Sequence, residues 1–434
     1  MKAGFAQIEF TPKEGYMPGE FYPFYSRSKF TPLYSNVAAL TANDGTSVII
    51  ISADYLHFET SHANDIRQRI SDATGVPVSH ILLAATHTHT GPSDHRQSGL
   101  CPPEVDTGIR TEKKIVESAI EAWNSRSEAK LGIAKGKDDR MSFNRDCILR
   151  DGRIETCAGR AAADDIVGYL GEVDYDVHVM RIDTPDGKIR GFIVNYANHP
   201  DNHKKRKFSA DFPGYMRQYL KEEYGEDITV LFLNGACGDV NAYDYKNSSD
   251  KYHLEMDIPP IGIGRMLADT VIEINKNIVI LPDDQPIRTA SAILTVNARI
   301  PTEAEIKESL RVKALLDACE ETGRETQHIA LSTLAHDYSK KTIDTEMLAV
   351  RIGPWAIVTV AGELYTEIGL RIKAVSPIEH TLISELTNGA EGYIAPDKTI
   401  GTTAYGGCYF AGRFGMGAAD VLVEGAKKLL EQLV

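Results

Sequence analysis

Short apolar runs alternate with amphipathic segments along most of this 434-residue chain. Apolar runs of strand type cover residues 46–52, 81–86, 191–196, 229–233 and 355–360. Segments with the spacing of an amphipathic helix cover residues 62–74, 112–125, 213–223 and 301–334. Repeated strand–loop–helix order predicts an α/β fold, with a mostly parallel or mixed sheet flanked by helices.

The domain organisation predicted from the sequence is a single catalytic domain spanning residues 1–434. No internal repeat, low-complexity tract or flexible linker is visible in the sequence. A sub-boundary is most plausible at residues 281–286, a polar stretch that contains two prolines.

Composition and charge narrow the classes of function. The chain is 42% hydrophobic and 25% charged, which is typical of a globular protein. A net charge of -14 argues against nucleic-acid or anionic-membrane partners. The N-terminus lacks an apolar export segment, and no stretch is long and apolar enough to span a bilayer. We therefore expect a cytoplasmic protein without stable membrane insertion that acts on a small-molecule substrate, with a homo-oligomer as an alternative to a monomer.

Six cysteines are scattered along the chain without a CxxC pair. This pattern indicates buried thiols and not a disulfide framework or a zinc ribbon. Cys237 lies between small residues, but the local sequence supplies no partner histidine that would make it a nucleophile. A GxSxG nucleophile motif is also missing from the sequence.

Polar residues of metal-ligand type follow four of the apolar runs. They are Asp54, the pair His87 and His89, His199, and Glu363. In α/β sheets, ligands bind beyond the carboxyl ends of the strands. Imidazole nitrogens and a carboxylate oxygen are the usual ligands of catalytic zinc, so this arrangement predicts a zinc site.

Each of these residues also has an ordinary structural explanation. His87 and His89 lie two apart on an extended segment and share a face, as hydrogen-bonded loop histidines also do. Glu363 follows a strand where a first-turn acid of a helix is common. The metal hypothesis therefore depends on the residues meeting in space.

Seven segments together resemble the neutral/alkaline ceramidase family, most closely its shorter bacterial members. They are residues 86–92 (THTHTGP), 142–145 (SFNR), 198–200 (NHP), 209–215 (SADFPGY), 234–240 (NGACGDV), 361–364 (AGEL) and 386–394 (LTNGAEGYI). They occur in the family's order and span most of the chain. The resemblance implies the ceramidase catalytic fold, and we expect no separate C-terminal immunoglobulin-like domain.

The same resemblance implies a zinc site of two histidines, one glutamate and one tyrosine. Carried over to this sequence, the ligands are His87, His199, Glu363 and Tyr409. Tyr405 is the alternative to Tyr409, because the alignment is uncertain by a few residues in this segment.

The resemblance also assigns roles around the metal. His89 and Arg145 match positions that hold the carbonyl oxygen of the substrate. A well-placed donor to an oxyanion contributes about 3–4 kcal/mol to transition-state stabilisation. Glu363 would bind the metal and move a proton. Independently of the resemblance, Asp54 and Asp239 are candidates to orient the ligand histidines, and the alternative is that they only cap strand ends.

Two departures from the family pattern bear on the substrate. Asn241 stands where ceramidases have a serine linked to catalysis or substrate binding. Residues 200–202 are Pro-Asp-Asn, where ceramidases are rich in Ser and Thr. The sequence therefore predicts a zinc-dependent hydrolase of an amide or ester in a small soluble substrate, and not of ceramide. The alternatives are a zinc-dependent glycosidase or lyase on the same scaffold, and a non-catalytic metal- or carbohydrate-binding protein.

Overall fold

The computed structural model describes residues 1–18, 24–93, 105–158, 160–203, 206–246, 259–335 and 339–434. Eight α-helices lie in this described part of the chain. They are α1 (Thr60–Thr74), α2 (Val105–Asn124), α3 (Asp211–Tyr224), α4 (Pro259–Asn275), α5 (Glu303–Asp317), α6 (Arg324–Ala335), α7 (Thr366–Val375) and α8 (Ala418–Glu431).

The strands number from β1 to β23 in chain order. They are β1 (Lys2–Glu9), β2 (Gly15–Met17), β3 (Phe24–Ser26), β4 (Tyr34–Thr41), β5 (Ser47–Ala53), β6 (Ile81–Ala85), β7 (Ser127–Glu128), β8 (Lys130–Lys137), β9 (Phe143–Asn144), β10 (Asp146–Leu149), β11 (Ile154–Thr156), β12 (Ile166–Tyr169), β13 (Asp176–Asp183), β14 (Ile189–Tyr196), β15 (Thr229–Asn234), β16 (Val240–Asn241), β17 (Val279–Ile280), β18 (Ile287–Asn297), β19 (Thr342–Ile352), β20 (Trp355–Thr359), β21 (Glu363–Leu364), β22 (His380–Ser384) and β23 (Tyr393–Ile394). This mixed α/β architecture confirms the predicted fold class.

The predicted long helix over residues 301–334 is wrong in one respect, because it is two helices, α5 and α6. Thr302 begins α5 with a capping box, in which its hydroxyl accepts from the Glu305 N–H and the Glu305 carboxylate accepts from the Thr302 N–H. Cys319 follows the end of α5 and has a left-handed backbone with φ 54°. An α-helix does not continue through such a residue, so the chain turns before α6 begins.

Three larger sheets repeat one topology. Their strand orders are β6-β5-β4-β1, β15-β14-β13-β8 and β22-β20-β19-β18, with the short strands β7 and β17 added to the first two. In each sheet the first three strands along the chain are antiparallel, and a helix then leads to a fourth strand that pairs in parallel with the third. A second helix follows and packs against the first two strands of its own sheet.

This arrangement is a threefold structural repeat, which corrects the expectation of no internal repeat. The repeat lies in strand order and direction and not in residue identity, so the sequence shows no period. Residues 281–286 connect β17 of the second repeat to β18 of the third. The candidate sub-boundary therefore coincides with the junction between two repeats.

One apolar core is shared by all three sheets. It contains Ile50 of the first sheet, Ile193 of the second and Ile357 of the third, all fully buried. The opposite face of each sheet packs against its own helices in a separate core. Each sheet is thus covered on both faces, as a parallel edge requires. The shared core favours the single-domain hypothesis, which stays a prediction.

Two further expectations concern the helices and the cysteines. Among the helices described, none has the length and apolar content needed to cross a bilayer. The described cysteines carry free thiols: Cys147 and Cys237 are buried as expected, whereas Cys157 and Cys319 are exposed. Cys101 lies outside the described residues.

Candidate metal site

Each repeat delivers one side chain to a common point. His87 follows β6 of the first repeat, His199 follows β14 of the second, and Glu363 follows β20 of the third. All three leave the carboxyl end of a strand in the parallel pair of its sheet. The shared core holds the three sheets together, so these strand ends converge. The structure therefore brings together three of the residues predicted from the sequence.

The three side chains are within contact distance of one another. His87 Nε2 lies 3.0 Å from His199 Nε2 and 3.3 Å from Glu363 Oε2. His199 Nε2 lies 3.9 Å from the same carboxylate oxygen. The side chain of Glu363 is 13% exposed, and those of the two histidines are almost completely buried. His87 adopts a left-handed backbone with φ 69°, which is uncommon for a residue other than glycine and is often found at functional sites.

The orientation of these groups fits a bound cation. His87 Nδ1 lies 2.9 Å from the Leu56 carbonyl oxygen, and His199 Nδ1 lies 3.5 Å from that of Cys237. A proton on each Nδ1 donates to these carbonyls and leaves the lone pair of each Nε2 facing the other. Glu363 Oε2 is buried there, and no residue in the described part of the chain forms a hydrogen bond with it. Three electron-pair donors converge, and two imidazole nitrogens with a carboxylate oxygen are a donor set that zinc takes.

The electrostatics of the site also favour a positive charge. Burial alone would raise the pKa of Glu363, but His87 and then Tyr393 and Arg145 lower it to about 2. Burial lowers the pKa of His87, but Glu363 outweighs it, so the net shift is upward. Burial, followed by the charge of Arg145, lowers the pKa of His199, which keeps this imidazole neutral. Glu363 is therefore an anion and His199 a neutral imidazole. His87 lies next to the Glu363 carboxylate, which favours either a proton on His87 or a metal ion bound to it.

Tyr393 is the tyrosine that joins this group. It lies in β23, which pairs in parallel with β21 and places Tyr393 directly opposite Glu363. Tyr393 contributes to the lowered pKa of the Glu363 carboxyl, and its hydroxyl accepts a hydrogen bond from Arg145 Nη2 at 2.8 Å. The sequence analysis did not single out Tyr393, although Tyr393 is the next-to-last residue of the matched segment 386–394. A tyrosine in that segment was the available signal.

The two tyrosines predicted from the sequence lie elsewhere in this region. The ring of Tyr409 is 5.5 Å from the Arg299 guanidinium, and its N–H donates to Glu305 Oε1 at 3.2 Å. The ring of Tyr405 packs edge-on against that of Tyr393, with the ring centres 5.3 Å apart. Tyr405 thus contacts the ring of Tyr393. A metal-ligand role for Tyr409 stays a prediction, and the geometry favours Tyr393 over it.

His89 lies at the edge of the ligand group. Its Nε2 is 3.2 Å from His199 Nε2, and its Nδ1 is 3.9 Å from Asp201 Oδ1. His87, His89 and His199 each offer a ring nitrogen within 4.8 Å of the others, so all three could hold a metal. His89 is 17% exposed, unlike the other two, which agrees with contact to a substrate. The assignment of His89 to the substrate stays a prediction.

Arg145 is buried beside Tyr393 and Glu363. Its Nη2 donates to the Gly238 carbonyl oxygen and to the Tyr393 hydroxyl, both at 2.8 Å. Burial would lower the pKa of Arg145, but Tyr393, Cys157 and Glu363 raise it well above the usual value. Its Nε is buried without a hydrogen-bond acceptor among the described residues. Arg145 is therefore a fixed positive charge, and its Nε–H group is available to donate a further hydrogen bond.

The aspartates proposed to orient the histidines have other partners. Asp54 forms a buried ion pair with Arg217, with Nη1 2.9 Å from Oδ1, and accepts from the Tyr34 N–H. Asp239 accepts from the N–H and hydroxyl of Thr366 and from Asn144. These bonds explain both carboxylates as structural connections between segments of the fold.

A polar wall lies next to Arg145 and consists of Asn241, Tyr245 and Cys157. Asn241 Nδ2 donates to the Tyr245 hydroxyl at 2.8 Å and lies 3.6 Å from Cys157 Sγ. Burial raises the pKa of Tyr245 and the nearby Cys157 raises it further, while Arg145 acts in the opposite direction. Asn241 thus holds a hydroxyl and a thiol beside the positive charge.

Comparison with known proteins identifies the fold. No protein-family model and no curated protein sequence matches the chain. The crystal structure of neutral ceramidase from Pseudomonas aeruginosa matches it with a TM-score of 0.73 and 16% identity, over 99% of this chain and 74% of that one. A ceramidase complexed with C2 matches with a TM-score of 0.70 and 14% identity, over the same shares. The chain therefore has the neutral ceramidase fold.

Proposed function

We propose that this protein is a zinc-dependent hydrolase that cleaves an amide or ester bond in a small, polar, soluble substrate. The observation that carries the proposal is the convergence of His87 Nε2, His199 Nε2 and Glu363 Oε2, whose lone pairs face one another. The charged Arg145 beside them supports catalysis over simple metal storage. The neutral ceramidase fold supports the hydrolase class by analogy.

The metal ligands in this proposal are His87, His199, Glu363 and Tyr393. Tyr393 takes the place of Tyr409 because its hydroxyl already lies at the Glu363 carboxylate. When bound, zinc would supply Lewis acidity and lower the pKa of a water ligand towards ~7. Glu363 would hold the metal through one carboxylate oxygen, and its second oxygen would be free to accept a proton.

His89 and Arg145 act on the substrate carbonyl in this proposal. His89 reaches the ligand group from its exposed side, whereas Arg145 is connected to it through the Tyr393 hydroxyl. Both are donors that are held in place before the reaction, in a site largely closed to water. Negative charge that develops on the carbonyl oxygen is stabilised without reorganisation of these groups.

The substrate class follows from the residues around the ligands. The polar wall next to Arg145 offers hydrogen-bonding groups to a polar substrate and little apolar surface to a long acyl chain. Asp201 places a carboxylate 3.9 Å from His89, on another side of the site. These groups favour a substrate with hydroxyl or amino groups near the scissile bond.

The first experiment measures zinc in the purified protein beside a His87→Ala, His199→Ala double variant. About one zinc per wild-type chain, absent from the folded variant, is the expected result. Substrates are then screened among N-acyl amino acids and short esters in ¹⁸O-labelled water. Hydrolysis incorporates the label into a product, whereas a lyase does not. A folded wild type without zinc after zinc supplementation, or efficient turnover of ceramide itself, would contradict the proposal.

A further inference from the structure

Glu385 is a buried carboxylate behind the candidate metal site. It directly follows β22, the last strand of the third sheet, and its side chain is fully buried. The roles proposed above do not use it. Burial raises the pKa of Glu385 to about 8, against the opposing effects of Cys237 and His87. Burying an acidic side chain costs free energy because the side chain loses its contact with water. The position of Glu385 therefore needs a structural or functional explanation.

The hydrogen bonds of Glu385 join two segments that carry metal-site residues. Oε2 accepts from the Leu364 N–H at 2.9 Å and from the Cys237 N–H at 3.1 Å, and Oε1 accepts from the Cys237 thiol at 3.0 Å. Leu364 follows Glu363 directly along the chain. One carboxylate thus connects the strand that carries Glu363 in the third repeat to a loop of the second.

The loop of the second repeat is in turn in contact with His199. The Cys237 carbonyl oxygen is 3.5 Å from His199 Nδ1, and its sulfur is 3.8 Å from the same nitrogen. The Nδ1 contact fixes the ring tautomer, and with it the direction of the Nε2 lone pair. Movement of Cys237 would therefore change how His199 meets a metal.

The two segments pack with little space between them. The Gly238 N–H donates to the Leu364 carbonyl oxygen at 2.9 Å. A Cβ atom on Gly238 would lie 2.7 Å from the Glu363 carbonyl oxygen, closer than any real contact. Small displacements of one segment are therefore transmitted to the other.

We infer that Glu385 is a positioning residue, which sets the separation of His199 and Glu363 by joining the Cys237 loop to the β21 strand. This inference rests on the proposed metal site. Partners behind metal ligands typically change metal affinity by about 10–100-fold when removed. We expect a loss in this range for Glu385→Ala. Glu385→Gln keeps an acceptor for the two N–H groups, so we expect a smaller loss.

The test measures zinc affinity by competition with a chromophoric chelator, and the visible spectrum of the cobalt(II)-substituted protein. Glu112→Ala is the matched control, because Glu112 is also buried and paired, with His62 and Arg69. This control should lower stability without changing zinc affinity or the cobalt spectrum. Glu385→Ala should weaken zinc binding and shift the cobalt spectrum at temperatures where circular dichroism shows it folded.

Hydrogen exchange separates the inference from the proposed function. Loss of Glu385 should speed amide exchange in peptides containing Cys237 and Leu364, with or without metal. Wild-type protein that binds no zinc would refute the proposed metal hydrolase. Amide exchange would then decide whether Glu385 joins the Cys237 loop to β21. Unchanged exchange, or unchanged zinc affinity and cobalt spectrum in folded Glu385→Ala beside a zinc-binding wild type, would overturn the inference. If Glu385→Ala does not fold, Glu385→Gln decides by the same measurements.

Discussion

The choice between Tyr393 and Tyr409 gives the sharpest test of the proposed metal site. Tyr393→Phe removes one hydroxyl and keeps the ring, which packs edge-on against Tyr405. The hydroxyl that is lost accepts from Arg145 at 2.8 Å and helps to lower the pKa of Glu363. The substitution therefore acts on the site with little effect on packing.

The expected magnitude follows from the type of hydrogen bond. A hydrogen bond to a charged group contributes about 1.5–3 kcal/mol. Since ~1.4 kcal/mol corresponds to a factor of ten, Tyr393→Phe should weaken zinc binding by about 10–150-fold. Tyr409→Phe is the matched control, because it removes the same atom from a tyrosine that packs against Arg299. Its effect on zinc affinity should stay within about threefold, as for a substitution outside the site.

The assay is competition for zinc against a chromophoric chelator at pH 7, with both variants and the wild type folded by circular dichroism. The reasoning is refuted if Tyr409→Phe weakens zinc binding as much as Tyr393→Phe, or if Tyr393→Phe leaves it unchanged. The first outcome would restore the ligand assigned from the sequence.

Three other predictions concern histidines and a buried ion pair. Arg217→Met leaves the Asp54 carboxylate buried without its partner, so urea titration should show about 3–5 kcal/mol less stability; a loss below ~1 kcal/mol would contradict this. Burial lowers the pKa of His178 from 6.5 to about 3. Between pH 6.5 and about 3, the native state therefore binds fewer protons than the unfolded chain. Its free energy of unfolding falls by up to ~1.4 kcal/mol per pH unit as the pH falls through this range. His178→Phe should flatten urea-derived stability between pH 7 and 5, and an unchanged slope would refute the assignment. His89→Ala should keep about one zinc per chain by elemental analysis, whereas His199→Ala should lose it; loss in both would make His89 a ligand.

The sequence determined the elements that carry the candidate site and most of the ligands proposed for it. The strands around residues 49, 83, 193, 231 and 357 were visible as apolar runs, because a strand covered on both faces has no polar positions. His87, His199 and Glu363 were identifiable because each stands just beyond such a run. The local sequence pattern is sufficient to locate these three residues, because a polar side chain at the end of a buried strand can face a binding site.

Tertiary structure decided which tyrosine and which acids belong with those ligands. Tyr393 and Tyr409 both lie in glycine-containing segments, and only the parallel pairing of β21 with β23 places Tyr393 opposite Glu363. Glu385 was not singled out from the sequence, and only its hydrogen bonds to Leu364 and Cys237 place it beside the candidate site. Such contacts join residues far apart in the chain. They depend on which distant strands pair and on how the three repeated sheets pack, which the pattern within one segment does not specify.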